Sequence, residues 1–370
     1  MKFVVSSGDL LSHLQIAGRA IPSKSPVTIL ENYLFSVEGN KLTITASDME
    51  VVIETVLEIS DVDHDGKIAV PGGKITEYLK KLPEQPVTFN IDENNYSIEI
   101  VTASGNNSQG GLSAEDFPQT KDIDDVQGSF TLSTDALLAG ISHTLFAASS
   151  DDLRPILNGV YLDIQPESLT FVATDSQMLA RYTRTDIKPG IESSLVLGKK
   201  TANLIKNIFS PSDDVTITYN STNAVLRSSN HTLICRLAAG VYPNYKSVIP
   251  TDNPYRVVVN RQDLSNAVYR SSLFTDGSGL IRFELTENNI LVSAQDLTFA
   301  CSASEKVSCQ YDGVQMPVGL KSPNISSILT NMTATEIELQ IGDSSKAVLI
   351  FPSERNENED ELLLIMPMRV

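Results

Sequence analysis

Three stretches of this sequence read as copies of one another, and a chain made of copies folds as an array of one unit. Segments of β-type sequence ending in an acidic turn recur as LTITASD to Asp48, LTFVATD to Asp175 and ILVSAQD to Asp296, separated by 127 and 121 residues. VPGGKITEYLKKL, VLGKKTANLIKNI and PVGLKSPNISSIL follow in the same order, an alignment on which Lys74, Lys200 and Lys321 correspond. A third feature precedes each: FVVSSGDLLSHLQIAGRAI, FTLSTDALLAGISHTLFAA and VVVNRQDLSNAVYRSSLF, with Leu10, Leu137 and Leu264 in register at two spacings of 127. Three ordered landmarks at one period predict three tandem domains, 1–125, 126–250 and 251–370, within the 370 residues.

Within a repeat, Gly8-Asp9 and Ser133/Thr134-Asp135 read as N-caps of helices whose apolar residues recur at three and four positions, as in Leu10, Leu11 and Leu14. Alternating runs such as VTFNI, VTITY and IELQI, separated by Asn, Gly, Asp and Ser turns, predict strands. Each repeat then carries two helices and about eight antiparallel strands, an α+β fold.

Several chemistries are excluded. The three cysteines are too few and too far apart for a disulfide scaffold, and the four histidines show no metal-ligand spacing. Asp61 to Gly66 copies the opening of a calcium loop, but its twelfth position is Gly72 where a bidentate Glu is needed. Gly198-Lys199-Lys200-Thr201 lacks the upstream glycine of a phosphate loop. We expect no metal, no cofactor and no catalytic centre. The N-terminus reaches Gly8-Asp9 before a signal-peptide core can form, and no apolar run spans a membrane, so the expected location is the cytoplasm.

Charge is the next constraint. With 28 Lys+Arg against 46 Asp+Glu the chain carries −18, which excludes a conventional basic nucleic-acid module. Over the predicted helices 8–21, 74–82, 135–147, 199–208, 261–273 and 321–330, however, ten basic residues meet four acidic ones, a net +6. The remainder then holds −24. Helices that share one surface facing a polyanion, with acidic sheets outward, would produce this split.

These residues carry a resemblance. MKFVVSSGDLLSHL, Lys24 with Pro26 to Leu34, LTITASD, Asp152 to Gly159, Ala173-Thr174-Asp175 with Leu179-Ala180, Tyr242 to Pro250 and the closing Ile365-Met366-Pro367-Met368-Arg369-Val370 together resemble the bacterial DNA polymerase III β subunits, the replicative sliding clamps. The resemblance implies a homodimeric, head-to-tail ring of six clamp domains, helices inside and sheets outside. It would encircle duplex DNA without sequence specificity, and confer processivity without catalysing anything itself. The implied partners are duplex DNA, a second copy, the replicative polymerase, an ATP-dependent clamp loader, and other polymerases and repair proteins that dock through short linear peptides. Helix packing agrees: at about 9 Å between axes, six helices in single file leave a hole of about 7 Å, whereas twelve leave about 24 Å, enough for a duplex. The competing class is an acidic, triplicated β-rich interaction protein that touches no nucleic acid.

By similarity, Lys24, Lys199, Lys200 and Lys321 are expected to face DNA, and the helix charge adds Lys74, Lys80, Lys81, Lys206 and Arg270. The unusually apolar segment Leu362 to Met368 is either a terminal edge strand that completes a core or part of the family's peptide groove. Matching groove positions are Leu157, Thr174, Leu179, Pro243, Val248, Ile365, Met366, Pro367, Met368 and Arg369. Ser176, Gln177 and Met178 complete the set where many relatives have Gly-His-Arg, and Ser247 departs from an often basic position. Met366 and Met368 offer the adaptable apolar surface that a shared docking site needs. For ring closure the similarity points to Leu273 and Phe274.

Overall fold

The structure, a computed structural model, describes residues 1–118, 123–151 and 153–369. Asp152 and Val370, two of the residues that carry the resemblance, lie outside them. The first repeat holds β1 (Lys2–Ser6), α1 (Ser7–Ala17), β2 (Asn32–Glu38), β3 (Lys41–Ser47), β4 (Val51–Glu58), β5 (Gly66–Pro71), α2 (Gly72–Leu79), β6 (Pro86–Asp92), β7 (Ser97–Thr102) and β8 (Gly105–Gly110). The second holds β9 (Gly128–Ser133), α3 (Thr134–Thr144), β10 (Gly159–Gln165), β11 (Ser168–Thr174), β12 (Met178–Arg184), β13 (Ser193–Gly198), α4 (Lys199–Ile208), β14 (Asp214–Tyr219), β15 (Asn223–Arg227) and β16 (His231–Arg236). The third holds β17 (Tyr255–Asn260), α5 (Arg261–Ser272), β18 (Leu280–Thr286), β19 (Asn289–Asp296), β20 (Cys301–Gln310), β21 (Met316–Lys321), α6 (Ser322–Asn331), β22 (Glu336–Ile341), β23 (Val348–Pro352) and β24 (Glu359–Ile365). Among the described residues the order of α-helices and strands is the same three times, two α-helices and eight strands per repeat.

Two compact units divide the chain, Met1–Asp135 with Asn203–Leu237 and Ala136–Ala202 with Ala238–Val370. The first unit holds a four-stranded sheet, β1-β6-β7-β8, and an eight-stranded sheet, β5-β2-β3-β4-β16-β15-β14-β9. The second unit holds one twelve-stranded sheet, β13-β10-β11-β12-β24-β23-β22-β17-β20-β19-β18-β21. One rule governs the seams: the fourth strand of a repeat pairs antiparallel with the last strand of the next, β4 with β16 and β12 with β24. In the third repeat β20 meets β17 only at Cys309 and Gln310. Among the described residues, its stretch 301–308 pairs with β19 alone and β8 pairs with β7 alone.

The repeated landmarks are structural. Leu10, Leu137 and Leu264 are each fully buried on their helices. The recurring aspartates close hairpin turns: one carboxylate oxygen accepts two backbone N–H groups, from Glu50 and Val51 at Asp48, from Gln177 and Met178 at Asp175, and from Thr298 and Phe299 at Asp296. Two expectations need correction. The N-cap of α1 is Ser6, whose hydroxyl accepts the Asp9 N–H, so Gly8-Asp9 already lies inside the helix, where the Asp9 charge favours its N-terminus. The three aligned lysines do not share a position either. Pairing matches the strand ends Pro71, Gly198 and Lys321, opposite Asn32, Gly159 and Leu280, so Lys321 precedes its helix while Lys74 and Lys200 lie within theirs.

The seams carry three of the four histidines. Thr55, Tyr182 and Glu305 occupy one position of the three repeats, opposite Ile44, Phe171 and Val292. At the first seam His13 from α1 and His231 from β16 both direct Nδ1 to Thr55 Oγ1, the latter at 3.1 Å. At the second, His143 from α3 bonds Glu361 Oε1 at 2.8 Å and stacks on Tyr182 at 4.5 Å between ring centroids. In the third repeat, Arg270 forks onto Glu305 at 2.7 and 3.0 Å beside the open edge of β20.

The two seams respond to pH with opposite sign. Burial and the neighbouring His231 push His13 below its ordinary 6.5 against the pull of Asp9, and burial pushes His231 down against Asp213. His143 is also pulled down by burial, but the hydrogen bond and charge of Glu361, with the charge of Glu359, lift it above 6.5. A lowered histidine contributes stability above its unfolded pKa and loses it as pH falls; a raised one contributes below that value and loses it as pH rises through the folded pKa. Acidification from about pH 7.5 to about 5.5 should therefore lower amide protection, corrected for the intrinsic exchange rate at each pH, along β4 and β16 and raise it along β12 and β24. His231→Gln should flatten the first response, and an unchanged pH slope in that variant would refute the assignment.

Candidate nucleic-acid interface and partner groove

Four of the six expected helices end earlier than the spacing predicts and the last begins one residue later, and that moves charge. The six α-helices contain Lys74, Lys199, Lys200, Lys206, Arg261 and Arg270 against Asp9, Glu77, Asp135 and Asp263, a net +2 instead of +6. Arg19, Lys80, Lys81 and Lys321 fall in the turns that flank them; Lys80 is the C-cap of α2, where a cation offsets exposed carbonyls. The basic excess belongs to helices together with their end turns.

The nine expected DNA contacts differ in environment. In the first unit Lys24, Lys74, Lys80, Lys81 and Lys206 are all exposed, and Lys80 pairs with Glu77 at 2.7 Å. In the second unit Lys200 and Arg270 are exposed while Lys199 and Lys321 are half-buried. Lys199 Nζ donates to Ser150 Oγ at 3.0 Å. Arg270 is charge-compensated by Glu305, and Lys321 Nζ donates to Gln177 Oε1 at 3.0 Å. Along α4, Thr201, Ala202, Ile205 and Ile208 turn inward while Lys200, Asn203 and Lys206 face solvent, an amphipathic split that leaves the cations on the outer face.

The residues expected to form the groove lie within the second unit. β12 and β24 pair with Met178 opposite Ile365 and Leu179 opposite Leu364, which delivers the tail to the turn Thr174–Met178. Met366 N–H then donates to Gln177 O at 2.8 Å, and Met368 N–H to Gly319 O at 2.8 Å. The apolar tail thus divides: Leu362 to Ile365 form a central strand between β12 and β23, not an edge, whereas Met366 is 44% exposed. Ile365, Leu157, Met178 and Leu179 are buried, whereas Val248, Met366 and Pro243 are exposed. Pro367 and Met368 are half-buried, and Arg369 is exposed.

The 242–249 loop is fastened to the same sheet. Tyr242 stacks on Tyr161 at 4.3 Å, and Tyr245, Ile249, Leu179 and Leu364 share one apolar cluster. Buried Asp163 accepts hydrogen bonds from Tyr245 Oη at 2.8 Å and Gln165 Nε2 at 2.8 Å, and pairs with Lys246 at 3.0 Å. Burial alone would raise its pKa, but these donors hold the carboxyl below its ordinary value, so it stays ionised and keeps the loop in place.

Sequence reasoning missed three residues here. Arg154 donates to Ser176 Oγ at 2.9 Å, and Leu153 and Val241 are 90% and 92% exposed. Their signal was adjacency to quoted motifs, Leu153-Arg154 inside the segment that supplies Leu157 and Val241 beside Tyr242-Pro243. Ser176 has φ of 77°, the left-handed conformation that glycine adopts more readily, so the departure from Gly strains the turn that Arg154 steadies. Elsewhere, Leu273 caps α5 at 68% exposure with Phe274 at 37%, and Tyr269, Leu297 and Phe299 extend the set of exposed apolar side chains in this repeat. Among the described residues no helix is long and apolar enough to cross a membrane.

Comparison with known proteins covers the chain from end to end. Family profiles for the DNA polymerase III beta subunit match as N-terminal domain over residues 1–121, central domain over 131–244 and C-terminal domain over 246–369. A Synechococcus elongatus beta sliding clamp is 28% identical over 362 residues, spanning 95% of this chain and 96% of that protein. A Pseudomonas putida beta sliding clamp is 25% identical over 378 residues, with both chains fully covered. In structure the chain is similar to the DNA polymerase sliding clamp of Pseudomonas aeruginosa, with a TM-score of 0.93 at 24% identity and both chains fully covered. It is also similar to the DNA polymerase III beta subunit of Thermotoga maritima, with a TM-score of 0.89 at 24% identity, covering 100% of this chain and 99% of that one. With all three family domains matched in order, and with the predicted three clamp domains present as three identical successions of elements, the chain belongs to the DNA polymerase III beta subunit family.

Proposed function

We propose that two copies of this chain close head to tail into a ring that encircles duplex DNA and tethers the replicative polymerase and other DNA-processing proteins to it. The observation that carries this reading is an unfinished pattern. Strand pairing joins β4 to β16 and β12 to β24, and the next term of the series asks β20 to pair with the last strand of a following repeat. Among the described residues no strand takes that place beside β20, and the edge of β8 is open. A second copy supplies each open β20 with a β8 and finishes two seams at once. A cavity of about 810 Å³ beside β8, lined in part by Ile75, Tyr78, Ile100 and Leu112, suits the exposed Leu273 and Phe274 of that copy.

Division at 1–125, 126–250 and 251–370 is part of the proposal, supported by the thrice-repeated order of elements. Lysines on α2, α4 and their flanking turns hold phosphates through mobile, water-bridged contacts that carry no sequence information, so sliding meets little barrier. Retention comes from topological linkage. The net −18 discourages DNA from adsorbing elsewhere, and a separate ATP-driven loader opens the ring in the cytoplasm. The subunit itself catalyses nothing. Replacing Lys199, Lys200 and Lys206 by Ala should weaken duplex binding at low salt by about tenfold and flatten the log–log salt slope by roughly two to three; an unaltered slope would remove them from the interface. The whole reading is tested by native mass and by retention on nicked circular against linearised DNA. A ring slides off only when an end is supplied, and equal retention on both substrates would refute encirclement.

A further inference from the structure

The two seams inside the chain share one register. Counted strand by strand from β1, β9 and β17, the residues Ile100, Leu226 and Ile350 hold one position of the last hairpin in each repeat. They pair with Asn107, Leu233 and Leu363. Across the seams Leu233 lies opposite Ile53 and Leu363 opposite Ala180. Ile53 and Ala180 each stand two residues before Thr55 and Tyr182, the position that Glu305 repeats in β20. The strand ends agree, since Arg236 N–H donates to Glu50 O at 3.1 Å at the first seam just as Met366 N–H donates to Gln177 O at the second. Carried to the open edge of β20, this rule sets Ala303 opposite Asn107 of the partner subunit and Cys301 opposite Gln109 of the partner subunit.

That register leaves no charge for the copies to share. β8 is Gly-Asn-Asn-Ser-Gln-Gly, without an ionisable side chain. Glu99 on the neighbouring β7 is held at 3.1 Å by Asn90 and at 3.1 Å by Asn106 of its own copy. At the second seam His143 reaches across to Glu361. Arg270 is the counterpart of His143, but Gly105 is the counterpart of Glu361 and offers no acceptor, so Arg270 forks onto Glu305 of its own repeat instead. Apolar surface stands where charge is missing. The turn between Asp296 and Cys301 holds four residues where those after Asp48 and Asp175 hold two, and it exposes Leu297 at 80% and Phe299 at 79%.

We propose that this chain closes its ring without an ion pair between the copies: Arg270 neutralises Glu305 within each copy, backbone bonds join β20 to the partner's β8 in the register of the internal seams, and Leu297 and Phe299 cover the end of that strand. There Gly110 of the partner subunit leaves open space and Leu112 of the partner subunit is 43% exposed. This rests on the ring reading above and names the chemistry of its seam. Two copies of net charge −18 repel each other, so added salt weakens that repulsion and finds no attraction at the seam to screen. Assembly holds or tightens as ionic strength rises.

The test uses the full chain. Antiparallel partners lie about 4.5–5.5 Å apart between Cα atoms, within reach of a disulfide. With copper phenanthroline as oxidant, Gln109→Cys should link to the native Cys301 of a second copy, and Cys301→Ser should abolish the link. Ser108→Cys and Asn107→Cys should link at least about fivefold less, and a link strongest at either would overturn the register. Sedimentation equilibrium between about 0.1 and about 1 M NaCl should show the dimerisation constant weakened by less than about threefold; a loss of about tenfold or more would reveal ion pairs between copies. Arg270→Gln should weaken assembly by about tenfold, because Glu305 then enters the seam uncompensated, and adding Glu305→Gln should restore it. A double variant as weak as the single one overturns the proposal. A protein that sediments as one chain even at low salt overturns the ring reading itself, whereas a dimer that fails any of these measurements overturns this inference alone.

Discussion

Leu273→Asp should convert the assembly to a single chain of 40.3 kDa and abolish retention on nicked circular DNA. In the isolated chain Leu273 is 68% exposed at the C-cap of α5, so the substitution removes little burial there. A carboxylate near a helix C-terminus costs about 0.3–1 kcal/mol, which the fold tolerates. The cost appears on assembly. Covering a leucine side chain contributes about 2 kcal/mol, and a buried carboxylate without a partner adds a penalty of its own. A head-to-tail ring of two copies repeats each contact twice, so the loss exceeds about 4 kcal/mol, roughly a thousandfold in the dimerisation constant. Sedimentation at micromolar concentration reads this directly, and a variant that still sediments as a dimer would sink the proposed seam. Thermal melting of the same sample checks that the domains remain folded.

What was legible in the sequence was what the backbone demands locally. An aspartate that accepts two turn amides must follow a strand, and a leucine that fills the core must sit at a fixed place on its helix, so Asp48, Asp175, Asp296 and Leu10, Leu137, Leu264 announced the repeat. Helix ends were less legible, because capping is decided by a single side chain such as Ser6 and by where neighbouring strands stop. The apparent alignment of Lys74, Lys200 and Lys321 is the clearest case. Similar letters suggested one position, but cross-strand pairing matches Lys321 with Pro71 and Gly198. The seams were not legible at all: His231 meets Thr55 across 176 residues and Glu361 meets His143 across 218, and nothing in either segment alone selects the other. The charge split survives in part, as basic helix ends more than basic helices.

Deleting the chain from Met366 onward should abolish peptide binding, by more than about a hundredfold, while the assembly and its loading on DNA persist. The structure separates the two halves of the apolar tail. Leu362 to Ile365 lie between β12 and β23 and are buried, so their removal would breach the sheet. Met366 to Arg369 lie beyond the strand, held by the Met366 and Met368 amide bonds to Gln177 and Gly319. Two surface hydrogen bonds contribute about 1 kcal/mol each, so losing them spares the fold. Binding loses far more. Flexible thioethers that conform to the anchors of different partners vanish together, and truncating a single central anchor of this kind costs at least about 2 kcal/mol. Met366→Asp provides the second reading, because it leaves the tail in place and only sets a charge on the apolar surface. Anisotropy titration with one labelled partner peptide should show no saturation for either variant. Retained affinity in the truncated protein would move the docking site away from the tail and onto the 241–248 loop and the turn at Ser176.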